Sequence, residues 1–157
     1  MAPTVELPQL NFPDFRFKIK RVAGNDHIFD PVRKKYLVLT PEEWVRQHMI
    51  AFLTENLGCP LSLIATEMSL KLNGMSRRSD VVVHNTNGVP RLIVECKAPE
   101  VKITQAAFDQ IARYNMVLRV DFLVVTNGYQ HFCCQLDYER NSYRFLEGLP
   151  NWEELKK

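Results

Sequence analysis

The sequence predicts an α/β domain with a central mixed sheet, in which a three-stranded meander is joined through a helical crossover to a further strand and flanked by helices. Three observations predict it. Thr40-Pro41-Glu42-Glu43 opens a helical pattern with apolar residues at Val45, Met49, Phe52 and Leu53. Two β-branched runs flank Asn87-Gly88, the dipeptide favoured in tight hairpins. A second helical pattern over 104–118 then leads into the continuous apolar run Phe122-Leu123-Val124-Val125, which suits a parallel strand buried on both faces.

The 157 residues are 46% hydrophobic and 24% charged, enough for one domain with a real core. No apolar run reaches membrane-spanning length and no secretory leader opens the chain, so a cytoplasmic protein without a membrane partner is expected. Cys59, Cys96, Cys133 and Cys134 lack metal-binding spacing and read as small buried hydrophobes, and the scattered histidines give no ligand pair. The net charge of +2 permits nucleic-acid binding without requiring it. Residues 1–27 are expected to form an extended N-terminal segment with a basic strand, and 28–157 a single domain.

Taken in order, residues 1–14 carry three prolines and read as an extended, mobile leader. Phe15 to Arg21 alternates, with Phe15, Phe17 and Ile19 on one face and Arg16, Lys18 and Lys20 on the other. That is a half-buried strand whose basic face is either solvated or in contact with phosphate. Gly24 to Asp30 reads as a connector and Lys35 to Leu39 as a short strand. The helix from Thr40 ends at Gly58-Cys59-Pro60. Leu63 to Leu72 is a strand, and Gly74 to Arg78 a basic turn in which Arg77 and Arg78 are either solvated or bound to flanking phosphates. The second helix buries Phe108, Ile111, Ala112 and Leu118; Gln110 and Tyr114, four apart, share another face. Two strands, Gln130 to Leu136 and Ser142 to Leu146, and a last helical turn capped by Asn151 complete the chain.

The hairpin around Asn87-Gly88 concentrates charge. If that dipeptide is a two-residue type I′ loop, Asp80 lies directly opposite Glu95, and Lys97 projects from the same face as Glu95. Opposed carboxylates repel unless a proton, the lysine or a divalent cation lies between them. The arrangement therefore fits either a metal site or a hairpin ion pair.

Asp80 followed by Glu95-Cys96-Lys97 resembles the PD-(D/E)XK nuclease superfamily. With Phe29-Asp30-Pro31, Arg33-Lys34, Thr40 to Glu43, Arg46-Gln47, Arg78-Ser79-Asp80, Glu95 to Pro99, Gln110 to Tyr114 and Val125 to Gly128, the chain looks like the N-terminal nuclease domain of type I restriction enzyme R subunits. The resemblance spans Ile28 to Leu146. It implies a restriction-endonuclease-like core and hydrolysis of DNA phosphodiesters assisted by Mg²⁺ or Mn²⁺. Asp80 and Glu95 would hold the ion with the backbone carbonyl of Cys96, Lys97 would orient the attacking water, and Gln110 and Tyr114 would position water or phosphate. Glu43 is the candidate for an additional acidic ligand, with Glu55 less favoured; its other role is to cap its own helix. Ser79 replaces the proline of the motif. No G-x-x-x-x-G-K-[ST] phosphate loop is present, so an ATP-driven motor or a specificity protein would be a separate partner. The alternative is a catalytically weak nucleic-acid-binding or assembly module of a restriction or DNA-processing system.

Overall fold

The structure, a computed structural model, describes residues 7–72, 75–116 and 118–157; the side chains of 67–72 and 75–79 lie outside the description. Two sheets organise the fold. The smaller has the order β1 (Ile19–Val22), β2 (Asn25–Asp30), β3 (Lys35–Val38), all antiparallel. The larger runs β4 (Ile64–Leu72), β5 (Met75–His84), β6 (Pro90–Cys96), β7 (Phe122–Thr126), β8 (His131–Asp137), β9 (Ser142–Leu146). Its one parallel pair among the described residues is β6 with β7. Helix α2 (Gln105–Met116) makes that crossover, because parallel strands cannot be joined by a tight turn. Helix α1 (Pro41–Ala51), extended by a π turn over Phe52–Asn56, precedes the large sheet, and α3 (Trp152–Leu155) closes the chain.

The large sheet is buried on both faces. Val81, Val83, Leu92, Val94, Cys96 and Val124 pack with Val45, Met49, Ile50 and Leu53 of the α1 side. Val82, Ile93, Leu123, Val125 and Cys134 pack with Phe108 and Ala112 of α2. Burying this apolar surface stabilises each layer by about 25 cal/mol per Å² removed from water. All five residues of β7 are buried, as its unbroken apolar run predicts. The four cysteines are free and buried.

Thr40 caps α1, its Oγ1 accepting from the Glu43 N–H at 3.1 Å, and Gly58 at φ +78° carries the chain out of the π turn. Asn151 caps α3 in the same way, through the Glu154 N–H.

Several expectations are corrected. Gly24 to Asp30 is not a connector: Asn25–Asp30 is the central strand of the small sheet and crosses the boundary expected between 27 and 28. Its polar sequence hides it, because Asp26 and Asp30 are both buried, and Asp30 Oδ1 accepts from the N–H groups of Val32 and Arg33. The regular part of β1 starts at Ile19 rather than Phe15. Arg77 and Arg78 lie within β5, not in a turn, and their side chains fall outside the described residues, as does Gly74 altogether. Helix α2 ends at Met116, which leaves Leu118 in a turn beyond it.

The leader from Leu7 onward is held in place. Trp44 Nε1 donates to the Pro8 carbonyl at 2.9 Å, and the Asn11 N–H donates to the Gly128 carbonyl at 2.8 Å. Leu10 is buried against Gly128, where a Cβ would stand 2.8 Å from Leu10 Cδ2.

The hairpin between β5 and β6 differs from the expected two-residue loop. Asn87 does not adopt positive φ; only Gly88 does, at +78°. The loop is longer. The Asn85 N–H donates to the Val89 carbonyl, the Gly88 N–H to the Asn85 carbonyl, and Asn85 Oδ1 accepts from the N–H groups of Asn87 and Val89. This is a turn followed by one left-handed glycine, the usual three-residue hairpin. It would shift the strands by one residue, pairing His84 with Pro90. An irregularity between Val83 and His84 reverses the shift, so that Val83 faces Leu92, Val82 faces Ile93 and Val81 faces Val94. The next pair in that register is Asp80 with Glu95.

Candidate active site

Alternation of the pleat puts Glu95 on the face of Ile93, towards α2, whereas the Asp80 carboxylate, just beyond the last recorded pair Val81–Val94, turns to Arg46 of α1. The Asp80 carboxylate lies where the two strands meet. Its Oδ2 accepts from the Cys96 N–H at 2.7 Å, so the side chain takes a strand donor that the β5 backbone would otherwise serve. Its Oδ1 accepts from Arg46 Nη2 at 3.0 Å.

Arg46 ties this carboxylate to α1. Its Nη1 donates to Glu43 Oε1 at 2.6 Å and its Nη2 also reaches Glu42 Oε1 at 3.1 Å. Glu43 Oε2 accepts from Gln47 Nε2 at 3.0 Å. Glu43, Arg46 and Gln47 are all buried. Burial works against the Arg46 charge, but Glu43 and Asp80 more than offset it and hold the guanidinium above its ordinary range. The cation beside Asp80 is thus Arg46, where the sequence offered Lys97 or a metal.

Glu43 bonds to its own helix neighbours rather than back to the helix start. Its N–H is capped by Thr40, but its carboxylate turns to Arg46 and Gln47 instead of completing the capping box. It reaches Asp80 only through Arg46. Glu55 lines a separate cavity with Arg16, Phe17 and Lys18.

Glu95 is buried at the end of β6, paired with Val125 of β7. Lys97 is half-buried, and its N–H donates to the Thr126 carbonyl at 2.8 Å, which continues the β6–β7 pairing beyond the strand end. No ion pair involves the Lys97 ammonium among the described residues. The Cys96 thiol points into the α1-side core, where burial first and the Asp80 charge second push it well above the usual range. It stays protonated, so Cys96 can serve a cation only through its backbone.

Gln110 and Tyr114 are exposed on α2, away from the buried stripe of Phe108, Ala112 and Asn115. Among the described residues no hydrogen bond joins Gln110 to Asp80, Glu95 or Lys97. The structure therefore joins Glu43, Asp80 and Cys96 through one network, sets Glu95 and Lys97 beside it on β6, and leaves Gln110 as a separate group on α2.

Arg46 is the residue that sequence reasoning passed over as a site. A signal existed. Arg46 shares a helical stripe with Met49, Ile50 and Leu53, and a cation on an apolar stripe requires a buried anion.

The donor chemistry fits Mg²⁺ or Mn²⁺. Two carboxylates and a backbone carbonyl are hard oxygen ligands, and no thiolate or imidazole competes. No group of three or more His, Cys, Asp or Glu side chains able to hold a metal occurs among the described residues. A small cation here would keep much of its water shell, as Mg²⁺ commonly does.

The model of the type I restriction enzyme R protein N terminus matches residues 41–150, which include α1, the whole large sheet and α2. A solved fragment described as an HsdR subunit of a type I restriction enzyme, from Vibrio vulnificus YJ016, superposes with a TM-score of 0.53 at 23% identity, over 74% of this chain and 24% of that one. That likeness shows the fold, and this chain spans about a quarter of the length of that structure. No curated protein matches the sequence. No helix of the described residues is long and apolar enough to cross a membrane. The match of the family model over 41–150, more than half of the chain, places it in the family of type I restriction enzyme R protein N-terminal domains.

Proposed function

We propose that this domain hydrolyses DNA phosphodiester bonds with Mg²⁺ or Mn²⁺ as cofactor. The observation that carries the reading is the end of β6. There Asp80 is anchored on the N–H of Cys96, the residue after Glu95, with Lys97 just beyond and without an ion-pair partner among the described residues. When bound, the metal supplies Lewis-acid polarisation of the phosphate and lowers the pKa of a coordinated water. Asp80, Glu95 and the Cys96 carbonyl would hold it. Arg46 pairs with Asp80 and orients it from the α1 side. Lys97 orients the attacking water and stabilises charge growing on the phosphate. Gln110 and Tyr114, facing solvent on α2, meet the DNA backbone as it approaches and position it.

Nothing in the site reads base edges, so sequence choice would come from a partner such as a specificity protein, and DNA translocation from an ATP-driven motor. A cytoplasmic setting follows from that substrate. The test is incubation of supercoiled and linear DNA with Mg²⁺ or Mn²⁺. Cleavage by the wild type, lost with EDTA and in Lys97→Ala, supports the reading. Cleavage that survives excess EDTA, or equal activity in Lys97→Ala, removes it. Metal-dependent DNA binding without cleavage would favour the assembly-module alternative.

A further inference from the structure

The small sheet holds a feature that the proposed cleavage site does not use. Seven of the chain's 20 lysines and arginines lie between Arg16 and Val38, against two acids, Asp26 and Asp30, both buried. The remaining chain has more acids than bases, so positive charge is concentrated on this element. The register then sorts its side chains. Ile19, Ile28 and Leu37 line up on the inner face, next to Phe17, which packs on Trp44 and His48 of α1. The opposite face carries Arg16, Lys18 and Lys20 along the β1 edge, then His27 and Phe29 on β2, then Tyr36 on β3, with Arg16, Lys18 and Phe29 also bordering a cavity shared with Gln47, Ile50 and Glu55. The lysines are exposed. Lys18 lies over the Phe29 ring at 5.5 Å and Lys20 over Tyr36 at 3.9 Å, and the two rings meet edge to face at 5.3 Å.

We infer that this face binds single-stranded nucleic acid, with the phosphate backbone along the β1 cations and bases stacked on Phe29 and Tyr36. Alternate residues of a strand stand about 6.6–6.8 Å apart, so the β1 row presents cations in a line rather than a cluster. The rings are capped by the protein's own lysines in the free state. An exposed cation–π contact is a weak attraction, whereas a base stacked on an aromatic ring is the stronger contact. A base therefore displaces the lysine, and the freed ammonium turns to a phosphate. A duplex would use only the cations and leave the rings idle; an acidic protein would likewise be served by charge alone. The combination of both favours single strands.

The inference needs neither metal nor cleavage and can be tested without them. The probe is a fluorescein-labelled oligothymidylate of about 15 nucleotides, titrated in EDTA with the full chain and with Asp80→Asn, Lys18→Glu/Lys20→Glu and Tyr36→Ala. The expected result is binding that weakens steeply with salt and is indifferent to Asp80→Asn. Tyr36→Ala should weaken it about tenfold, and the charge reversal, at two exposed positions that leave the fold intact, should abolish it. Equal affinity for a duplex of the same length, affinity unchanged by the charge reversal, or no oligonucleotide binding would each overturn the inference. An unchanged affinity in Tyr36→Ala, with circular dichroism showing a folded protein, would overturn the stacking role.

Discussion

The two sides of the β5–β6 strand end differ in how completely their polar groups are engaged. Towards α1, Glu43, Arg46, Gln47 and Asp80 form a buried network in which each charge has an opposite partner. Towards α2, Gln110 is exposed and the Lys97 ammonium has no ion pair among the described residues. The α1 side is built before any ligand arrives; the α2 side is left for one. A carboxylate fixed from behind presents its free electron pairs in one direction only, which is the preorganisation a catalytic anion needs.

The sharpest way to break this comparison is Arg46→Ala. It orphans a buried Glu43 and removes the cation on Asp80, and should cost on the order of 3–5 kcal/mol in urea unfolding. Arg46→Met combined with Glu43→Gln should recover part of that loss, since the orphaned charge rather than the missing contact dominates. A loss below about 1 kcal/mol for Arg46→Ala would show that the network is solvated and that the α1 side is not a fixed support.

Lys97→Ala tests the other side. Cleavage should fall on the order of 10²–10³-fold while the urea midpoint stays close to that of the wild type. A large stability loss instead would make Lys97 a structural residue. Gln110→Ala should reduce cleavage about tenfold to a hundredfold and change stability by no more than about 0.5 kcal/mol, as expected for an exposed helix position.

Between these in stability lies Gly128→Ala, in the leader clamp. At φ +91° an L-residue is strained, and the new Cβ meets the end of Leu10, a flexible side chain that can yield. The expected cost is about 1–2 kcal/mol, read as a lower melting temperature. If the melting temperature is unchanged, Leu10 and Gly128 are not packed as described.

The smallest effect is with pH. His48 sits among Phe12, Phe15, Phe17 and Trp44, and burial lowers its pKa; the hydrogen bond to the Trp44 carbonyl only partly offsets this. Burial also lowers the pKa of His131. Below the unfolded value of about 6.5 the unfolded chain therefore binds more protons than the folded one. Stability is complete above that value and is lost as pH falls through it. Unfolding midpoints should drop between about pH 7.5 and pH 5.5, with a shallower slope in His48→Gln. A flat profile in the wild type would mean that neither ring is held neutral.

The sequence was most legible where one physical rule acts alone. Caps at Thr40 and Asn151, the apolar run of β7 and the crossover through α2 depend on local chemistry or on burial of both faces, and each is present. It was least legible where tertiary contacts override local pattern. β2 hides because its inward residues include the buried Asp26 and Asp30, the latter satisfied by the N–H groups of Val32 and Arg33 in the turn that follows. The leader looks free because its prolines give it no regular structure, yet carbonyls at Pro8 and Asn11 are held by Trp44 and His131. Arg46 was hidden because its partner Asp80 is 34 residues away and comes near only when α1 packs on the sheet. The register of β5 on β6 from Val83–Leu92 to Val81–Val94 was read correctly from an incorrect loop: the extra loop residue and the irregularity at Val83/His84 cancel.

That cancellation bears on how insertions and deletions are tolerated in this hairpin. The side-chain period of a strand is two, so what must be preserved between Asp80 and Glu95 is parity rather than length. A change of two residues in the loop keeps both carboxylates on one face. A change of one turns Glu95 away, unless the bulge beside His84 is lost or another is gained. The bulge is thus a one-residue reserve, through which the loop can change length by a single step while the acidic pair stays in place. Deleting Thr86 should therefore give either a three-residue loop on a regular, unbulged ladder or a two-residue Asn87-Gly88 loop that keeps the bulge, and only a variant that kept both the three-residue loop and the bulge would lose the pair.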